Sequence, residues 1–266
     1  MAYEISFDKY IDNPSGTGTS VVTNRGMYKQ LYTTKFNAVL VREQGKIVYN
    51  VYKIEDAEDS YMIHMKIPSE VISKFYYDVV VRLFTTDNGK KAAASLRMYS
   101  AQFYSNDPAF VYTFAHAFSK NNIFITDLSS KMSKAALDNV ASVKNPKDDI
   151  GYVKSLYFAY LTMEKYNLFQ RAILDSQAKP YDKSQLLKQI THADEKVKAR
   201  QEAKIKIDNK NKSSNKSNLK SNNTNNEFNH KKFGKVSTVR HSKNSKITNK
   251  TKASKITSSV KKAKIT

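Results

Sequence analysis

The residues with the clearest chemical potential are the lysines of the C-terminal segment, residues 205–266. This segment holds 17 basic and only two acidic side chains, a net charge of +15, whereas residues 1–204 carry +6. A long run of ammonium groups attracts phosphate backbones through counterion release, and Lys acts there as a point charge that reads no base sequence. We therefore predict non-specific, salt-dependent binding of nucleic acid, either DNA or RNA, with anionic membranes or acidic proteins as the alternative partners. The predicted nucleic-acid-binding residues are Lys210, Lys212, Lys216, Lys220, Lys231, Lys232, Lys235, Arg240, Lys243, Lys246, Lys250, Lys252, Lys255, Lys261, Lys262 and Lys264.

The other residue types able to do chemistry form no recognisable site. The five histidines share no spacing typical of metal ligands, and His64 and His116 are interpreted as structural or solvent-exposed. The acidic loop 55–59 could attract Mg²⁺ or Ca²⁺, but it does not match an EF-hand and favours a solvated turn. The chain has no Cys and no Gly-x-Ser-x-Gly motif. We predict no catalytic residue, no metal site and no cofactor, and hence a non-enzymatic protein.

Three further patterns have structural interpretations. Asp148 and Asp149 precede a helical stretch, where carboxylates stabilise the positive end of the helix dipole, so both are predicted to be caps. The segment 13–20 contains two glycines but no Lys after the second, which favours a loop over a phosphate cradle. Tyrosines could stack bases, although core packing is their commoner use in sheets. The tyrosines concerned are Tyr49, Tyr52, Tyr76, Tyr77, Tyr99 and Tyr104.

Composition limits where the protein acts. No apolar run approaches about 18 residues, so no membrane span is predicted. The first ten residues include Glu4 and Asp8 and lack an apolar core typical of a signal peptide. The absence of Cys excludes a disulfide framework and fits a reducing compartment. We expect a soluble intracellular protein.

The region that should organise the fold is rich in strand-forming residues. Residues 36–42 and 47–53 are apolar and β-branched and flank Gly45, which predicts a β-hairpin. Residues 61–67 alternate in polarity, and residues 75–84 form a further strand. The second half of 92–105 is predicted to pair with that strand.

Helix signals dominate the remainder. Asp107 and Pro108 predict a helix start, and Asp182 or Ser184 a later one. Beyond residue 204 the chain has too little apolar content to offset its ordering entropy. The predicted class is therefore α+β: an N-terminal antiparallel β-sheet packed with a helical C-terminal half, followed by a disordered basic tail. The predicted divisions are a loop or extension (1–35), a globular domain (36–204) and the tail (205–266).

Four stretches together carry a resemblance, namely residues 13–16, 75–80, 105–111 and 151–156. They resemble a group of functionally uncharacterised proteins encoded by tailed bacteriophages with AT-rich genomes, and the Lys- and Asn-rich composition without Trp agrees with such a source. The resemblance covers roughly residues 10–200 and assigns no functional residue. It implies a role in the virion or with phage DNA, in the host cytoplasm or the virion.

Three hypotheses follow. In the first, the folded body docks on a protein assembly or on itself while the tail holds nucleic acid. In the second, the protein is a virion head or neck component whose tail contacts packaged DNA. The third is an enzyme with an active site among the carboxylates.

Overall fold

The computed structural model describes residues 5–12, 25–55, 59–87, 90–91 and 94–223. The side chains of residues 25–28, 87, 90 and 211–223 are not described. Its centre is a five-stranded sheet in the order β6-β3-β2-β1-β7. The strands are β1 (Tyr49–Ile54), β2 (Ser60–Pro68), β3 (Tyr76–Phe84), β6 (Ala101–Ser105) and β7 (Lys179–Pro180), and a separate small ribbon pairs β4 (Thr86–Asp87) with β5 (Lys90–Lys91). Helices make up the C-terminal half, so the α+β class is confirmed.

The sheet is mixed, not wholly antiparallel as predicted. The four longer strands are antiparallel neighbours, and β6 pairs with β3 as expected. The two-residue strand β7 instead runs parallel to β1 through Tyr52 and Lys53. It arrives from the helical half, after a long crossover, and such connections produce parallel pairing.

Both faces of the central strands are covered. Tyr61, Ile63 and Met65 of β2 are buried, and so are Met62 and His64, which alternate with them. Helix α5 (Lys154–Lys165) packs against β2, β3 and β6, and helix α2 (Arg25–Arg42) packs on α5. His64 therefore lies inside the protein, whereas Lys66 of the same alternating pattern is partly exposed.

The predicted first strand of the hairpin, residues 36–42, is wrong, because these residues form the end of α2. Phe36, Val39 and Leu40 are buried, a helical spacing, while Val41 is 81% exposed. The helix ends in a Schellman motif, in which Gly45 N–H donates to the Leu40 carbonyl (2.6 Å) and Gln44 N–H to that of Val41 (3.1 Å). Gln44 and Gly45 both have positive φ, of 57° and 74°. Gln44 is therefore the left-handed residue that ends the helix, and Gly45 follows it and does not turn a hairpin.

The N-terminal 35 residues are more than the predicted loop or extension. Helix α1 (Phe7–Asp12) buries Phe7, Tyr10 and Ile11 in the core. The Tyr10 hydroxyl donates to the Gly151 carbonyl (3.1 Å) and accepts from Val153 N–H (3.0 Å). Part of this region, including the predicted loop 13–20, lies outside the described residues.

The helix signals at Asp107 and Asp182 are confirmed. The Asp107 carboxylate accepts from Ala109 N–H (3.0 Å), just before a π-helical turn (Phe110–Phe114). The Asp182 carboxylate accepts from Gln185 N–H (3.1 Å) at the start of helix α7 (Lys183–Gln189). The remaining helices are α3 (Ala115–Lys120), a 3₁₀ helix (Thr126–Lys131), α4 (Lys134–Asp138), α6 (Arg171–Gln177), α7 (Lys183–Gln189) and α8 (Ala193–Asn223).

Helix α8 continues to Asn223, beyond residue 205, where the disordered tail was predicted to start. Residues 224–266 lie outside the described residues. Contacts divide the chain into units of residues 1–215 and 216–266, and the described part of the second unit is the last turns of α8. In the part of the chain that the structure describes, no helix is long and apolar enough to cross a membrane.

Candidate nucleic-acid interface

Four of the predicted nucleic-acid-binding residues lie on α8, namely Lys210, Lys212, Lys216 and Lys220. Lys210 is exposed, and the side chains of the other three are not described. The other predicted residues lie outside the described residues: Lys231, Lys232, Lys235, Arg240, Lys243, Lys246, Lys250, Lys252, Lys255, Lys261, Lys262 and Lys264. The structure therefore places a quarter of the predicted site on a helix.

The first turns of α8 explain how this helix forms. Ala193 and Val197, four residues apart, are buried on the body. Asp194 and Glu195 lie in the first turn, where carboxylates stabilise the helix dipole. Beyond Ala203 every side chain is exposed up to Lys210, including Ile205 at 58%. Packing thus starts the helix, and its following turns present charge to solvent.

A buried carboxylate, Asp78 of β3, anchors the segment before α8 to the sheet. Its Oδ1 accepts hydrogen bonds from His64 Nε2 (2.9 Å) and from the Lys66 ammonium. Its Oδ2 accepts from Asn106 Nδ2 (2.9 Å) and from Thr191 N–H (3.2 Å). We call these five residues the Asp78 cluster; they come from β2, β3, the loop after β6 and the α7–α8 link.

The same cluster satisfies the backbone of the α7–α8 link. Lys66 also donates to the Gln189 carbonyl (3.1 Å), and Asn106 Nδ2 to the Thr191 carbonyl (3.1 Å). Asn106 in turn accepts from Asp78 N–H (2.8 Å). Buried backbone groups need such partners, so the cluster sets where α8 begins.

The Asp78 cluster keeps its carboxylate charged. Burial raises the pKa of Asp78, but the hydrogen bonds and charges of His64 and Lys66 outweigh burial and hold that pKa well below its usual range. A carboxylate offers about four lone-pair sites, and four donors already use them. Asp78 is therefore suited to anchoring and poorly suited to attacking a substrate or taking its proton.

One ring nitrogen of His64 lacks a hydrogen-bond partner among the described residues. This nitrogen, Nδ1, is buried. The ring is 2% exposed, which agrees with the structural interpretation of this histidine. Sequence reasoning missed the cluster, although one signal was present: Asp78 directly precedes the apolar run Val79–Val81 within a strand.

Asp148 and Asp149 are not the helix caps that were predicted. Helix α5 begins only at Lys154, and no side chain caps it. The Asp148 carboxylate lies 2.8 Å from His116 Nδ1 and accepts from the Lys120 ammonium at 3.2 Å. His116 also lines a cleft of about 260 Å³, with Tyr112 and Val140 among the lining residues. The His116–Asp148 contact joins α3 (Ala115–Lys120) to the chain that precedes α5.

The tyrosines considered for base stacking divide into two groups. Tyr52, Tyr77 and Tyr104 are buried, which agrees with core packing. Tyr49, Tyr76 and Tyr99 are partly exposed, and the Tyr76 hydroxyl donates to Glu43 (2.5 Å). Of the acidic loop 55–59, residues 56–58 lie outside the described residues. Among the residues with described positions, no three or more His, Cys, Asp and Glu are grouped to hold a metal ion.

Comparison with protein-family models, with curated proteins and with solved structures finds no match for this chain.

Proposed function

We propose that this protein is a non-enzymatic nucleic-acid-binding accessory protein that holds DNA or RNA through α8 and the basic segment after it. One observation carries the proposal, the concentration of positive charge on α8 beyond residue 203. Between residues 204 and 223 the helix contains six Lys, one Asp and no Glu. Like charges on neighbouring turns of a helix repel each other, and a bound polyanion neutralises them.

The spacing of these lysines suits a phosphate backbone. Positions 212, 216 and 220 recur every four residues, and that spacing corresponds to a rise of about 6 Å along a helix. Duplex DNA carries one phosphate per about 3.4 Å on each strand, so successive positions are near different phosphates. No bidentate Arg contact to a base is involved, and the binding is independent of sequence.

The proposed setting is a bacteriophage infection, which rests on the resemblance described above. The protein would act in the host cytoplasm or be carried in the virion, with the folded body docking on a protein assembly or on another copy. A virion head or neck protein that contacts packaged DNA is the neighbouring possibility, and proteomics of purified virions separates the two.

The test compares salt dependence between two charge-matched variants of the full-length protein. One variant replaces Lys210, Lys212, Lys216 and Lys220 by Gln. The control replaces four exposed lysines of the body by Gln, namely Lys46, Lys74, Lys134 and Lys144. Binding to a duplex oligonucleotide is measured from 50 to 200 mM salt for each.

For the α8 variant, the slope of log K against log salt is expected to be shallower by about 3.6 if all four lysines contact phosphates. The control variant keeps the slope of the unmodified protein. Equal losses in both variants would show that only net charge matters, and no binding by the unmodified protein would remove the proposed function.

A further inference from the structure

Two basic residues lie one turn apart on the part of α8 that packs against the body. Lys196 Nζ is 5.0 Å from the centre of the Phe75 ring, and this ring lies 5.5 Å from that of Tyr77. Burial and the Asp107 charge raise the pKa of the Tyr77 hydroxyl, and the charge of the nearby Arg200 guanidinium opposes that rise. We call Lys196 and Arg200 the α8 basic pair.

This pair is short of anionic partners. Among the residues whose side chains are described, no carboxylate makes an ion pair within 4 Å of Lys196 or Arg200. Asp78 is the carboxylate that attracts Lys196, but it accepts its four hydrogen bonds from other groups. Leaving charged groups partly buried without a partner is unfavourable, so the site is suited to an anion from outside the chain.

Arg200 supplies the second observation. Its Nε is buried and has no hydrogen-bond partner among the described residues. An unmade hydrogen bond from a charged donor is costly, and buried donors of this kind call for an explanation. An oxyanion beside Arg200 would offer acceptors of opposite charge to the guanidinium donors.

The environment of Lys196 agrees with this. Burial lowers the pKa of the Lys196 ammonium, Asp78 opposes that effect, and Lys66 adds to it. A bound anion would raise the pKa of Lys196 and so stabilise the charged ammonium.

We propose that Lys196 and Arg200 bind a phosphate group of nucleic acid, at the point where the basic helix leaves the body. Arg presents a planar fork to two oxygens of a phosphate, while Lys acts as a point charge beside it. Nucleic acid is the favoured source because exposed Lys204 follows Arg200 by one helical turn, a rise of about 6 Å, and the lysines continue from there. The inference rests on the proposed function and adds a fixed contact on the folded body.

The experiment uses the full-length protein and two double variants. Lys196→Gln with Arg200→Gln removes the pair, and Lys179→Gln with Lys188→Gln removes two exposed lysines outside α8 as the matched control. Circular dichroism and thermal melting establish that both variants fold. Each is titrated with single-stranded oligothymidylate at several salt concentrations and, separately, with inorganic pyrophosphate at constant ionic strength.

The pair variant is expected to have a slope of log K against log salt that is shallower by about 1.4, the value for two lost phosphate contacts on a single strand. It should also lose the rise in melting temperature that pyrophosphate produces in the unmodified protein and in the control. A pair variant that matches the control in both titrations would overturn the inference while leaving the proposed function intact.

The remaining outcomes separate the two proposals. If pyrophosphate stabilises the unmodified protein through the pair but no oligonucleotide binds, nucleic acid is excluded as the source of the phosphate and the proposed function fails. If pyrophosphate has no effect on the unmodified protein and the salt slopes are equal, the pair is not a phosphate site.

Discussion

His64 Nε2 lies 2.9 Å from Asp78 Oδ1, and the two side chains are 2% and 0% exposed. They stand on the adjacent strands β2 and β3, in the interior, and the second oxygen of Asp78 reaches Asn106 and the backbone of Thr191. One carboxylate thereby links the sheet to the segment that starts α8. The basic helix is held by a charge that the protein has buried and fully paired.

Replacing Asp78 by Ala should strongly destabilise the protein. His64, Lys66 and Asn106 would lose their shared acceptor, and breaking a buried ion pair in this way costs about 3–5 kcal/mol. Urea denaturation monitored by circular dichroism measures the change. Asp138→Ala, at an exposed position on α4, is the control and should alter stability by about 0.5 kcal/mol or less. A cost below about 1 kcal/mol for Asp78→Ala would contradict the anchoring role.

Stability should fall in acid because of the same carboxylate. The pKa of Asp78 in the folded state lies below its value of about 3.9 in the unfolded chain, so the unfolded state binds a proton first as the pH falls. The stabilisation is complete above about pH 5 and is lost progressively below it.

Denaturation of Asp78→Asn at pH 7, 5, 4 and 3 isolates this effect. The pKa values of Glu43, Glu70 and Asp127 are also lowered, so the variant should keep part of the acid dependence. Its free energy of unfolding should change less between pH 5 and pH 3 than that of the unmodified protein. Parallel pH profiles would show that Asp78 titrates alike in the folded and unfolded states.

Gly45→Ala should destabilise the end of α2 through the backbone alone. Gly45 has φ of 74°, and an added Cβ would meet no described heavy atom within 4 Å. A side chain in the left-handed region costs about 1–2 kcal/mol, partly offset by the lower entropy of the unfolded chain. Gln44→Gly, at φ of 57°, is the matched change and should be neutral or stabilising. A cost of Gly45→Ala near zero by thermal melting would argue against the positive φ of Gly45.

Asp148→Ala should be more destabilising than Asp148→Asn. Both remove the charge that faces His116 and Lys120, but Asp148 has φ of 54°, which Asn tolerates better than Ala. We expect about 1 kcal/mol or less for Asn and about 1–2 kcal/mol for Ala. Asp149→Asn is the control. Equal costs for all three substitutions, measured by urea denaturation, would contradict the assignment.

Local chemistry was enough to predict several elements. The alternation along residues 61–67 and the β-branched run near Val79–Val81 identified β2 and β3, and the pairing of β3 with β6 was also predicted. Asp107 and Asp182 identified helix starts because capping depends on atoms within three residues. The concentration of lysines after residue 204 is likewise a property of the sequence by itself.

Tertiary structure decided the rest. Residues 36–42 have strand-forming side chains, but burial of Phe36, Val39 and Leu40 against the body favours a helix, and packing outweighs local propensity. Helix α1 was likewise not predicted, because the residues that it contacts in the core are distant in the sequence. The Asp78 cluster joins residues 64, 66, 78, 106 and 191, and a buried charge is stable only when folding brings all its donors together.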